Sequence, residues 1–373
     1  MINQNDYKIG SANEFGIDKK EIRRFYTENW GGSTVLSIPS FYEWQFYDAP
    51  GNNKRDACCL AVNKQDYIVG VMGVNGRSFC LNKKFCKGGE LTSWIISNRE
   101  RGHGIGGAMI GYLKNHYDVL FGTGISEQAL SVYILSGFNY LRYVPRFIRV
   151  YDSRAICPYA KINKLGEKII EQRKEKIQFL NCGKNSIKEV SATELVNTIG
   201  NLSDNFNYFV RDNLYLKWRY DCHPAFNYHS FKVGSAGIVF RVDTIQNLKI
   251  AHIVDIFSAV NDDIFFLINF IDTFCNNNNI HVVDFYCTTP LISHYFVAAG
   301  WFSVIDDYYF QFAHLFYPPK LCIPPTTSLI YWSRNNASEL SNMAKLYITK
   351  SDIDLDRPTQ FYYDKHTSIV ENN

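Results

Sequence analysis

Residues 96 to 107 read Ile96-Ser97-Asn98-Arg99-Glu100-Arg101-Gly102-His103-Gly104-Ile105-Gly106-Gly107, with four glycines in the last six positions. Glycine lets a backbone approach a ligand closely and aim successive N–H groups at it. A pattern apolar at helical spacing follows at once, so the run opens a helix whose N-terminus is electropositive. A pyrophosphate is the natural guest of such a place. Arg101 supplies a charge or holds the loop, and His103 reads as a backbone or phosphate contact.

Two phosphate-binding patterns compete for the run. Gly102, Gly104 and Gly107 satisfy the dinucleotide spacing G-x-G-x-x-G. That pattern wants an acidic residue at the end of the next strand, whereas Asp118 precedes the strand at 119–121. It also belongs in the first strand-to-helix turn of a domain, and this run comes after several strands. Arg101, Gly104 and Gly106 resemble instead the coenzyme A signature [RQ]-x-x-G-x-[GA] of the GNAT acyltransferases. Ala129, Tyr133 and Gly137-Phe138 resemble that family's later element, with Ser126 where asparagine is usual.

The resemblance implies an acyl-CoA co-substrate, acetyl-CoA or a hydroxybutyryl-CoA, held by Arg101, Gly102, His103, Gly104, Ile105, Gly106, Gly107 and Ser126. It implies a pantetheine arm paired along Trp94, Ile95 and Ile96, with a backbone N–H near Ile96 polarising the thioester. Tyr133 stands at the position of the proton donor to the leaving thiolate. The ordinary alternative is a core tyrosine. Glu90 is the candidate general base; its ordinary alternative is a solvent-facing carboxylate at a strand end.

The elements around these residues alternate strand and helix. A hairpin is expected from 60–62 and 67–74 with its turn at 63–66, then a strand at 90–96. A helix follows over 108–117, a short strand at 119–121, a helix over 127–136 closed by Gly137, and strand-like alternation through 138–151. An amphipathic linker helix is expected over 161–180. A second unit then opens at the capping pattern Ser191-Ala192-Thr193-Glu194. It has strands at 236–242, 251–257 and 282–287 and helices at 264–275 and 291–299. Its strand-to-helix loop, with Asp262 and Asp263, would repel a pyrophosphate.

The halves echo each other. Trp44-Gln45-Phe46 precedes Pro50 as Trp218-Arg219-Tyr220 precedes Pro224, and Tyr133 precedes Gly137-Phe138 as Phe296 precedes Gly300-Trp301. The expected class is therefore α/β, with two GNAT-like mixed-sheet domains in tandem, the second without a coenzyme loop. The divisions fall at 1–155, a linker helix over 156–186, an acceptor-side domain over 187–350 and a tail over 351–373.

Composition supports a folded, polar-surfaced chain. Of 373 residues, 46% are hydrophobic and 20% charged, and the net charge of +3 gives no basic tract for nucleic acid. A polar N-terminus, no eighteen-residue apolar run and ten scattered cysteines without C-x-x-C spacing predict a cytoplasmic chain with reduced thiols, no membrane span and no metal. Asp352, Asp354 and Asp356 lack the glycine and glutamate of a calcium loop, and pairing with Arg357 is expected instead. Residues 211–220 with Pro224, and 350–358, resemble segments of larger bacterial GNAT proteins that acylate nucleotide-linked amino sugars, in particular dTDP-3-amino-3,6-dideoxyhexoses, for surface polysaccharide. That resemblance implies an amino-sugar acceptor in a cleft between the units. Trp218, Arg219 and Arg241 are candidates to stack on its base or meet its diphosphate. Acyl or aminoacyl transfer to a peptide precursor, and non-catalytic CoA binding, are the other readings. A homodimer is left open.

Overall fold

The computed structural model describes residues 6–32, 34–177, 187–198, 202–258, 261–305, 310–314, 326–335, 337–352, 356–359 and 362. Leu180, Asp354 and the side chain of Asp262 lie outside the described residues.

Two mixed sheets carry the molecule. In the first the order is Tyr7–Ser11, Cys59–Asn63, Ile68–Leu81, Lys84–Ile96, Val119–Thr123, Leu329–Ser333 and Asn139–Leu141. The second runs Ile187–Glu189, His229–Val233, Ala236–Ile245, Leu248–Phe257, Val282–Tyr286, Arg146–Val150 and Phe302–Ser303. Position by position the two orders match. Each has a long antiparallel hairpin, then a parallel neighbour (Lys84–Ile96 with Val119–Thr123, Leu248–Phe257 with Val282–Tyr286), then two antiparallel strands.

The sixth strand of each sheet comes from the other half of the chain. Arg146–Val150 sits between Val282–Tyr286 and Phe302–Ser303, and Leu329–Ser333 sits between Val119–Thr123 and Asn139–Leu141. The strand-like stretch at 138–151, expected in one place, is thus split between the two sheets. Boundaries drawn along the chain do not follow the sheets. Both exchanged strands are buried and paired on two sides; Leu329–Ser333 is mostly apolar, while Arg146 and Arg149 are buried against Asp284 and Asp272.

The first hairpin is longer than its sequence pattern suggested. Asn82 and Lys83 both take positive φ, 49° and 63°, so a two-residue turn joins Leu81 directly to Lys84. Of the helix expected over 161–180, the described residues to 177 form Lys164–Lys174, and the Ser191 pattern opens a 3₁₀ turn, Ala192–Thr198, with the Ser191 N–H donating to Glu194 Oε2 at 2.9 Å. The described residues beyond 350 are no loose tail, since Ser351, Asp352 and Asp356 are buried between the sheets.

Candidate active site

The strand Lys84–Ile96 positions most of the candidate residues. Its parallel pairing with Val119–Thr123 ends at Leu91↔Gly122, and from there the two strands part. On its other side, pairing with Ile68–Leu81 shifts register, so that Met72 alone faces Ser93 and Trp94. Ser93 takes φ 50°, the local twist of a bulge. Among the described residues, no strand pairs with Thr92–Ile96 on the side left by Val119–Thr123. Ile95 is buried in the inter-sheet core, while Trp94 and Ile96 pack on the opposite face, toward the helix Ile105–His116.

The glycine run then turns into that helix. Gly102 and Gly104 adopt φ 83° and 74°, a region that side chains resist. Gly104 is the N-cap, and no side chain caps the first turn, so its N–H groups are left for another acceptor. A Cβ on Gly102 or Gly107 would meet nothing within 4 Å, whereas one on Gly106 would lie 2.6 Å from the Trp94 ring. Glycine at 106 is therefore a packing requirement. Arg101 Nε donates to the carbonyl of Ile96 at 3.1 Å, so Arg101 closes the loop. His103 is exposed, 3.6 Å from Glu100, and Ile105 is a core residue. Ser126 caps the helix Glu127–Leu135 by accepting from the Ala129 N–H at 3.3 Å.

Tyr133 lies buried between Trp94, with ring centroids 5.3 Å apart, and Phe138, at 5.0 Å. Burial pushes its phenol well above the ordinary value, so it keeps its proton at neutral pH. The indole N–H of Trp94 beside it is buried without a hydrogen-bond partner among the described residues.

Glu90 is neither at a strand end nor facing solvent. It sits mid-strand, 4% exposed, and accepts from Asn75 Nδ2 at 2.9 Å and Arg77 Nη2 at 3.4 Å. It lines a narrow cleft between the sheets with Trp44, Gln45, Trp218, Arg219, Asp356 and Arg357. The structure thus brings Glu90, Trp218 and Arg219 together, across more than a hundred residues of sequence. With Asp352 and Asp356 bound to Arg211, Arg219 and Arg241, and Asp354 outside the described residues, Arg357 reaches elsewhere. Its Nη1 donates to Ser93 Oγ at 2.8 Å, at the bulge.

Trp218 and Trp44 stack at 4.8 Å and 15°, and each indole N–H donates to the other's carbonyl, at 2.7 and 2.9 Å. The two echoed motifs thus meet each other about a local two-fold relation. Arg219 and Arg241 are the arginines expected to stack on a base or meet a diphosphate. Both are buried, and both bind Asp356, which accepts from Arg241 Nε at 2.7 Å and from Arg219 Nη2 at 3.3 Å. Burial alone would raise the Asp356 carboxyl, but the two guanidiniums hold it well below the usual range. These arginines are spent on fastening residue 356, and a diphosphate would have to compete with a buried carboxylate.

Several buried groups carried no local signal. Arg211, fully buried, binds Asp255 at 3.0 Å and Asp352 at 2.6 Å, while Lys350 binds Asp284 at 2.7 Å. The segments 211–220 and 350–358 had each been singled out separately; their link is this charge network. The described cysteines are free, as expected.

By sequence the chain matches no protein-family model and no curated protein. Its structure is similar to solved acyltransferases. A GCN5-related N-acetyltransferase from Anabaena variabilis has a TM-score of 0.52 at 10% identity, over 87% of this chain and 72% of that one. An N-myristoyltransferase from Saccharomyces cerevisiae with bound myristoyl-CoA has a TM-score of 0.51 at 10% identity, over 89% and 85%. No helix among the described residues is long and apolar enough to cross a membrane. Two matching seven-strand orders, a splayed and bulged central strand and a glycine-opened helix beside it together make the fold that of the GCN5-related N-acetyltransferases, present twice in one chain.

Proposed function

We propose that this chain is an acyl-CoA-dependent N-acyltransferase that acylates the amine of a nucleotide-linked aminodeoxy sugar, of the dTDP-3-amino-3,6-dideoxyhexose kind. The observation that carries the acyl-CoA part is the free edge of Thr92–Ile96 lying next to the uncapped first turn of Ile105–His116. One offers backbone groups for the amides of a pantetheine arm, the other N–H groups for its pyrophosphate. The open space at Gly102 and Gly107 fits such a guest.

In this reading a neutral amine enters the cleft and attacks the thioester carbon directly. The nitrogen loses a proton to Glu90 as the C–N bond forms. The C–S bond breaks, and the thiolate takes the Tyr133 proton; solvent then resets both groups.

The amino-sugar part rests on the resemblance of residues 211–220 and 350–358. The test is free-thiol release from acetyl-, hydroxybutyryl- and myristoyl-CoA with a panel of dTDP- and UDP-amino sugars and N-terminal glycine peptides. Turnover with an amino sugar supports the proposal. Turnover with peptides alone removes the sugar, and tight CoA binding with no amine turned over removes the enzyme.

A further inference from the structure

The two hairpins place an arginine at matching positions. Arg77 and Arg241 each lie four residues before the closing pair of their turn, Leu81↔Lys84 and Ile245↔Leu248. Arg241 is saturated by Asp356 and Asp243. Arg77 is set differently. Its Nη1 donates to Tyr215 Oη at 3.1 Å, its Nη2 donates to the Asp352 carbonyl at 2.5 Å, and the Phe209 ring lies 4.1 Å from the guanidinium. These three contacts hold the guanidinium so that Nη2 also reaches Glu90 Oε2, at 3.4 Å. Asn75, the register partner of Glu90, donates to the same carboxylate oxygen.

The geometry points to Arg77 and Asn75 as the positioning pair for Glu90, holding its carboxylate ionised and aimed into the cleft from the neighbouring strand. Glu90 is 4% exposed, and a carboxylate so buried is disfavoured unless cations and N–H donors offset the lost water. Arg77 supplies the charge and Asn75 the donor. The turn at Ser351–Asp352 acts through Arg77, so the buried end of the chain helps set the state of a group on the coenzyme-side strand. The other charged groups facing Glu90 in the cleft are Arg219, Asp356 and Arg357, with Asp352 behind Arg77. All are kept in the variants below. This inference rests on Glu90 being the base of the proposed reaction only for its catalytic consequence.

Its test therefore does not require turnover. In protein labelled at glutamate Cδ with ¹³C, the Glu90 signal is assigned by its loss in Glu90→Gln and titrated in wild type, Arg77→Gln, Arg77→Lys and Asn75→Ala. Arg77→Gln should move the Glu90 midpoint up by about one pH unit or more, the scale of losing an adjacent guanidinium. Asn75→Ala should move it up by less, and Arg77→Lys should restore most of the wild-type value. Circular dichroism and CoA affinity check that each variant is folded; Asn75→Ala, which leaves the tail contacts intact, decides the matter if Arg77→Gln fails to fold. A midpoint unchanged in the folded variants overturns the inference. Where turnover is measurable, the acid limb of kcat/KM should move with the Glu90 midpoint. A limb that stays in place while the midpoint shifts removes Glu90 as the base and leaves the positioning pair standing.

Discussion

The two units part their central strands in the same way but treat the gap differently. In the first, Lys84–Ile96 and Val119–Thr123 separate after Leu91↔Gly122, and the glycine-opened helix lies beside the opening. In the second, Leu248–Phe257 and Val282–Tyr286 separate after Ile253↔Phe285, and the chain's own residues fill the space. Tyr347 Oη lies within hydrogen-bond distance of Asp255 Oδ1 and the Ile256 carbonyl, the Thr288 N–H donates to the Ile348 carbonyl, and Cys287 pairs with Thr349 in an isolated β-bridge. A segment of protein thus takes the place that a pantetheine arm is proposed to take in the first unit. The second unit thus keeps the parted strands without the glycines, and its opening is closed from within the chain.

Breaking the filled slot should have the largest effect. Arg211→Ala leaves Asp255 and Asp352 buried without their shared cation. It should cost about 3–5 kcal/mol of stability in urea unfolding; a loss below about 1 kcal/mol would mean that this network does not hold the segment in place. Next, Tyr133→Phe should lower kcat about 100-fold with CoA affinity unchanged, the lower end for a lost general acid. An equal fall in CoA affinity would make Tyr133 a packing residue against Trp94 instead. Gly106→Val forces a side chain onto the Trp94 ring and should weaken CoA about tenfold or more. Smallest is Ser126→Ala, which removes a helix cap and should cost about 1 kcal/mol of stability. A CoA affinity within about twofold of wild type would confine Ser126 to capping.

The signals on the proposed coenzyme side are local. Glycines at 102, 104 and 106, a helix pattern behind them and Tyr133 with Phe138 all act within one stretch of chain, and the structure keeps them within one stretch of fold. The acceptor side was less legible for a physical reason. Burial of Arg77, Arg211, Arg219 and Arg241 depends on Glu90, Asp255, Asp352 and Asp356, and some of these lie over a hundred residues away. An isolated arginine reads as a surface group because only a partner makes its burial tolerable. The exchanged strands were hidden for a related reason. The alternation through 138–151 marks Arg146–Val150 as a strand but does not tell which sheet receives it, and Leu329–Ser333 was not expected as a strand at all. The turn at Asn82-Lys83 was missed because lysine stands where glycine would have announced it.

The exchange also fixes an order of events during synthesis. Val119–Thr123 and Asn139–Leu141 leave the ribosome early, yet the strand that joins them ends at Ser333. The first sheet therefore stays open-edged while nearly two hundred further residues are made. The second sheet has its borrowed strand, Arg146–Val150, waiting before its own strands appear. The half made first is thus the half completed last, and until then its exposed edges at Val119–Thr123 are the part of the nascent chain most in need of protection from other strands.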